Sequence, residues 1–165
     1  MRSDTLIYLV NDHFIHVPCS TYDIHSLFSD SVAVSELPGS KFRGRYRDIS
    51  TDISTLKTMD FSDVVVLITM AEFRKFRVPT LLTEYENNGF LVFHYPIEDG
   101  MIPEDVLELV ELLAKIRKRI ADGHRVLIHC YGGLGRAVLV AACLLQGKVG
   151  FKKGIWHYAP ETFKL

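Results

Sequence analysis

Val126-Leu127-Ile128-His129-Cys130-Tyr131-Gly132-Gly133-Leu134-Gly135-Arg136 decides how the rest of the chain is read. An apolar run typical of a buried strand leads directly into a cysteine. A turn with glycine at three of four positions follows, and then an arginine at the head of a helical stretch, 135–146. Glycines let a backbone curl with its N–H groups turned inward, and a helix start adds the positive end of its dipole at the same place. Residues Tyr131, Gly132, Gly133, Leu134, Gly135 and Arg136 are therefore expected to form an anion cradle with Cys130 at its base.

The chemistry follows from those residue types. Cradle N–H groups and Arg136 favour a thiolate at Cys130, so its pKa is expected to be depressed. Arg136 can fold back and grip two oxygens of a phosphate in bidentate fashion. A thiolate so placed attacks phosphorus in line and gives a phosphocysteine, which water then hydrolyses. Donors and positioning stabilise that transition state, so the reaction needs no metal and no cofactor. His129 is expected beneath the loop, where its hydrogen bonds hold Cys130 in place.

Working outward, strands alternate with helices. The signals are a short extended stretch at 31–37 closed by Pro38-Gly39, a short helix at 50–59, and the β-branched run Val64-Val65-Val66-Leu67-Ile68. A helix opened by Pro79 ends at Asn87-Asn88-Gly89, and a further strand covers 90–95. The strongest helix starts at Pro103, carries Val106, Leu109, Val110, Leu113, Ile116 and Ile120 at helical spacing, and ends on Arg117-Lys118-Arg119 before Gly123. Such alternation predicts an α/β domain with a central, mostly parallel sheet flanked by helices, and ligands at the carboxyl ends of its strands. Residues 1–31 carry no sustained period.

Composition narrows the function classes. The 165 residues suit one domain, and 48% hydrophobic with 24% charged residues is a globular balance. A net charge of -1 argues against a general nucleic-acid binder, although Lys41, Arg43, Arg45 and Arg47 alternate along one short stretch, and Arg74, Lys75 and Arg77 follow a strand. The longest apolar run, Ala137–Leu145, is too short to span a membrane, and Leu6–Val10 is too short for a secretory core. Three cysteines, Cys19, Cys130 and Cys143, suit a reducing compartment without a disulfide framework. The expected location is cytoplasmic, with a perinuclear or nuclear placement as the alternative. Seven histidines show no ligand spacing, so no metal is expected.

His129-Cys130-x2-Gly133-x2-Arg136 resembles the signature of the cysteine-dependent dual-specificity protein phosphatases. The longer string through Leu145 is similar to the cyclin-dependent-kinase-associated phosphatases. So are Leu37-Pro38-Gly39-Ser40-Lys41-Phe42, Arg77-Val78-Pro79-Thr80-Leu81-Leu82 and His94-Tyr95-Pro96-Ile97-Glu98-Asp99-Gly100. The resemblance covers about residues 34–145. It implies a fold of the cysteine-phosphatase type over 32–146, between a divergent segment 1–31 and an atypical, shortened C-terminal tail 147–165. It implies removal of phosphate from phosphothreonine, with phosphoserine and phosphotyrosine as further substrates, on the activation segment of a cyclin-dependent kinase. It aligns Asp99 with the general acid. Two departures stand out. Ala137 occupies the position after the loop arginine where relatives carry Ser or Thr, whose hydroxyl assists departure of the thiolate, so breakdown of phosphocysteine is expected to be slow. The tail lacks the further helices that complete the family's core. A catalytically impaired kinase-binding module is the alternative reading, and a thiol relay through Cys19 the third.

Overall fold

The computed structural model describes residues 6–10, 13–17, 24–26 and 31–146, with side-chain surroundings for 31–144. In chain order the elements are β1 (Leu6–Val10), β2 (His13–Val17), β3 (Ile24–Ser26), β4 (Val32–Ser35), α1 (Ile49–Thr58) and β5 (Phe61–Val66). They continue with α2 (Met70–Lys75), α3 (Leu81–Asn87), β6 (Leu91–His94), α4 (Val106–Ala121), β7 (Arg125–His129) and α5 (Arg136–Gln146). β1 and β2 pair antiparallel as a separate two-stranded sheet.

The central sheet runs β3-β4-β7-β5-β6. β4, β7, β5 and β6 are mutually parallel, and β3 is an antiparallel edge strand on β4. The mostly parallel α/β sheet expected from the sequence is therefore present. It also reaches back to Ile24–Ser26, within the stretch where no period was legible. Strand β7 is central because Val126, Leu127 and Ile128 are apolar on both faces, as a strand between two helical layers must be. Val34, Val65, Ile128 and Val126 pack against Leu109, Leu113 and Ile116 of α4 and Val140 and Leu144 of α5. Ala33, Val64, Val66 and Leu127 pack on the other face against Ile53 and Leu56 of α1, Phe73 of α2, and Leu81 and Tyr85 of α3. Burial of these side chains, each worth about 1.5–3 kcal/mol, is what holds the layers together.

Helix boundaries show where local signals compete. Pro103 does not open α4: Asp105, extended at φ -99, accepts from the Glu108 N–H at 2.9 Å and sets the start at Val106. Pro79 likewise lies in the turn before α3, whose N-cap is Thr80. Helix α2 is absent from the sequence expectation because its six residues are too few to show a period. Thr69 and Glu72 nevertheless form a capping box there, with the Thr69 N–H donating to Glu72 Oε2 at 2.9 Å. One charge is buried inside the sheet: Asp63 of β5 receives Arg119 Nε at 2.6 Å and Nη2 at 2.8 Å from α4.

Candidate active site

Cys130 follows β7 directly, at the carboxyl end of the central strand. The Leu67 N–H donates to the His129 carbonyl and the Leu37 N–H to the Tyr131 carbonyl, each at 3.0 Å, so the neighbouring chains brace the strand past its end. The thiol is 3% exposed, and the Gly133 N–H donates to its Sγ at 3.2 Å. Gly133 has φ +72, and a Cβ there would meet the Ser35 carbonyl carbon and oxygen at 2.7 and 2.8 Å. Only glycine fits that position. Gly132 and Gly135 have open space and no positive φ, so what they contribute is room above the loop.

Arg136 is 4% exposed and heavily held. Nη1 donates to Glu72 Oε2 and to the Ile97 carbonyl, both at 2.8 Å, and Nη2 donates to Glu72 Oε1 at 2.9 Å. Burial opposes the charge on Arg136, yet Glu72 outweighs it and keeps the guanidinium pKa above its ordinary value. Burial also opposes charge on Glu72, and hydrogen bonds from Arg136 and the Thr69 N–H overcome it, so the carboxyl lies below its ordinary value. Sequence reasoning missed Glu72. The Thr69-x-x-Glu72 capping pattern was readable, but nothing in it shows that the same carboxylate also meets an arginine 64 residues away.

The structure brings Asp99 to the same guanidinium, with Oδ1 3.2 Å from Arg136 Nη2. Its side chain is 74% exposed, which puts it at the mouth while Cys130 and Arg136 lie at the floor. His129 is fully buried, and its Nε2 lies 3.1 Å from the Tyr85 hydroxyl. Burial pushes its pKa down to about 3, with His94 adding to the shift and the Cys130 backbone opposing it. The imidazole is thus neutral at physiological pH, a structural support linking α3 to the strand that carries Cys130. Tyr131 stacks on Phe76 with ring centres 4.1 Å apart, while Leu134 is 46% exposed at the rim. Cys143 packs half-buried against the core, and burial raises its pKa. Cys19 and the tail 147–165 lie outside the described residues.

A central parallel sheet with a cysteine at the end of its middle strand, and an arginine six residues on at the next helix start, is the architecture of the cysteine phosphatases. Superposition agrees. The chain is similar to a crystal structure of kinase associated phosphatase carrying a serine substitution of its catalytic site cysteine, with TM-score 0.72 and 36% identity over 78% of this chain and 75% of that one. It is similar to the active form of Tk-PTP, with TM-score 0.59 and 35% identity over 73% of this chain and 71% of that one. The chain belongs to the cyclin-dependent kinase inhibitor 3 (CDKN3) family, whose sequence model matches residues 11–149. Curated relatives include cyclin-dependent kinase inhibitor 3 of Sus scrofa, 42% identical over 118 residues, and of Homo sapiens, 40% identical over 117. These alignments cover 72% and 71% of this chain and 55% of each relative, so the chain spans little more than half the length of the curated relatives it matches.

Proposed function

We propose that the protein is a cysteine-dependent protein phosphatase acting on phosphothreonine, with phosphoserine and phosphotyrosine as further substrates. The observation that carries this reading is the grouping at one strand end of a buried cysteine with an N–H donor on its sulfur, a pre-positioned arginine, and an acid at the mouth. Family membership and the kinase associated phosphatase fold support it.

The steps follow from the geometry. The substrate phosphate enters above Gly132 and Gly135 and takes hydrogen bonds from the loop N–H groups and from Arg136, displacing Asp99 from Nη2. Cys130 Sγ then forms a bond to phosphorus as the bond to the threonine oxygen breaks. Asp99 gives that oxygen its proton. Water attacks phosphorus in the second step, Asp99 takes a proton back, and the sulfur–phosphorus bond breaks to release inorganic phosphate. Because Glu72 and the Ile97 carbonyl already hold Arg136, little reorganisation accompanies charge development on the phosphoryl oxygens. His129 is a positioning residue in this scheme.

The kinase partner rests on the family name, and the relevant substrate is the phosphothreonine of a cyclin-dependent kinase activation segment. A thiol that must stay reduced to act suits the cytoplasm or nucleus, and Cys130 and Cys143 are both free. The test is incubation of the protein with such a phosphorylated kinase. The expected result is release of phosphate by the wild type, and by Cys130→Ser a stable complex without release. Binding of the kinase by both proteins with no release by either would leave a kinase-binding module in its place.

A further inference from the structure

The basic residues at 41–47 and 74–77 fall into two groups. Arg47 is used inside the fold: it donates to Asp52 through Nε at 2.9 Å and Nη2 at 2.7 Å, and to Glu36 through Nη1 at 2.9 Å. Arg45 pairs with Glu36. Lys41, Arg43, Arg74, Lys75 and Arg77 stand at the surface.

Aromatic rings join the two runs into one wall. Phe76 stacks on Tyr131, and Phe42 meets them edge-on at 5.4 and 6.1 Å. The Lys41 N–H donates to the Phe76 carbonyl at 3.0 Å and fixes the 38–47 loop against the end of α2. Cations lie along these rings. Arg43 sits 5.4 Å from the Phe42 centre, Lys75 lies 5.7 and 5.4 Å from Phe42 and Phe76, and Arg45 lies 5.2 Å from Tyr131. Tyr131 is the residue after Cys130, so the wall adjoins the phosphate loop. The acids of these segments are already committed: Glu36 to Arg45 and Arg47, Asp48 to the start of α1, and Glu72 to Arg136. The result is a local excess of positive charge on a chain whose net charge is -1.

Ring contacts hold the long basic stems before any ligand arrives, which lowers the entropy lost when they pair with an anion. We propose that Arg43 and Lys75, supported on Phe42 and Phe76 beside Tyr131, form a second anion site that takes an acidic or phosphorylated side chain of the same substrate polypeptide. The site selects segments in which a second negative charge lies a few residues from the phosphothreonine. This rests on the phosphatase reading for the identity of the first site.

The test reads binding, so it does not depend on turnover. Fluorescence anisotropy in the Cys130→Ser background compares a phosphothreonine peptide with neutral flanks against peptides carrying a second phosphothreonine, or a glutamate, one to four residues away on either side. The best-spaced doubly phosphorylated peptide should bind about fivefold tighter than the neutral-flank peptide, with the advantage shrinking as salt is raised. Adding Arg43→Gln with Lys75→Gln should bring that ratio to about one. Lys115→Gln with Lys118→Gln, an equal charge change on α4 at the opposite face of the sheet, should leave it intact. No preference at any spacing, an equal loss in the α4 control, or a preference that survives Arg43→Gln with Lys75→Gln would overturn the site. Sedimentation with phosphatidylserine vesicles separates the lipid source: capture that depends on Arg43 and Lys75, without any peptide preference, would also overturn it. Failure of phosphatase turnover in the wild type, by contrast, would count against the catalytic reading alone.

Discussion

Glu72 clasps both terminal nitrogens of Arg136, at 2.8 and 2.9 Å, so the N-terminal turn of α2 fixes the arginine that opens α5. The same carboxylate caps α2 through Thr69, which ties the start of one helix to the head of the other. Removing its charge leaves a buried guanidinium with a weaker partner and a wider choice of orientations.

Glu72→Gln is therefore expected to lower kcat/KM on an aryl phosphate by about 30-fold and to weaken vanadate binding in parallel. Its stability has a defined pH signature. A carboxyl whose pKa is lowered on folding stabilises the fold above its unfolded pKa, and loses that contribution as pH falls through the folded value. The gap in unfolding free energy between wild type and Glu72→Gln should be constant from neutral pH down to about 5 and narrow below about 4.5. Urea titrations at several pH values check this, and a gap that widens in acid contradicts it.

His129 gives a window of the same sign at higher pH. Its folded pKa is about 3 against 6.5, so between those values the unfolded chain binds a proton that the folded chain does not. Stability should fall with acid from about pH 6.5, at a slope approaching 1.4 kcal/mol per pH unit, ahead of the carboxylates. His129→Asn, which cannot titrate, should flatten the profile between pH 6 and 5. It should also lose the Tyr85 contact and some stability at neutral pH. A wild-type profile as flat as the variant's would contradict the buried neutral imidazole.

Asp99 stands where a proton donor to the leaving oxygen is needed, at the mouth and within reach of Arg136. Asp99→Asn should slow cleavage of an alkyl phosphate such as phosphothreonine by about a hundredfold. An activated aryl phosphate, whose leaving group needs little protonation, should suffer much less. Equal losses on the two substrates would remove Asp99 from the role of acid.

Ala137 is fully buried and directly follows Arg136, the position at which the family resemblance implies a hydroxyl that assists departure of the sulfur. Ala137→Ser should speed hydrolysis of phosphocysteine several-fold while leaving its formation rate unchanged. Pre-steady-state kinetics separate the two steps. An unaltered steady rate would show that the alanine does not limit turnover.

Much of this was legible in the chain, and what was not had local causes. Val64–Val66 and Val126–Ile128 announced strands buried on both faces because a parallel sheet between helices permits no polar alternation there. The loop from Cys130 to Arg136 was equally plain. Glu72 and Tyr85 were not, since each joins the site across a long sequence separation, through side-chain contacts that no local pattern announces. The basic run Arg117-Lys118-Arg119 read as compensation for a helix end. The structure gives two of its members specific partners: Arg117 donates to the Leu144 and Cys143 carbonyls, and Arg119 pairs with buried Asp63. Alternating charge along 41–47 likewise gave no hint that Arg47 turns inward while Arg43 stays at the surface.

Covalent catalysis by Cys130 is tested by a rapid-mix time course of aryl phosphate hydrolysis, with folded Cys130→Ser as the control. A burst of phenolate approaching one per chain is expected, then slower steady turnover as phosphocysteine breaks down, and neither phase in Cys130→Ser. No burst and no turnover from wild-type protein shown to be folded would contradict a covalent phosphatase built on Cys130.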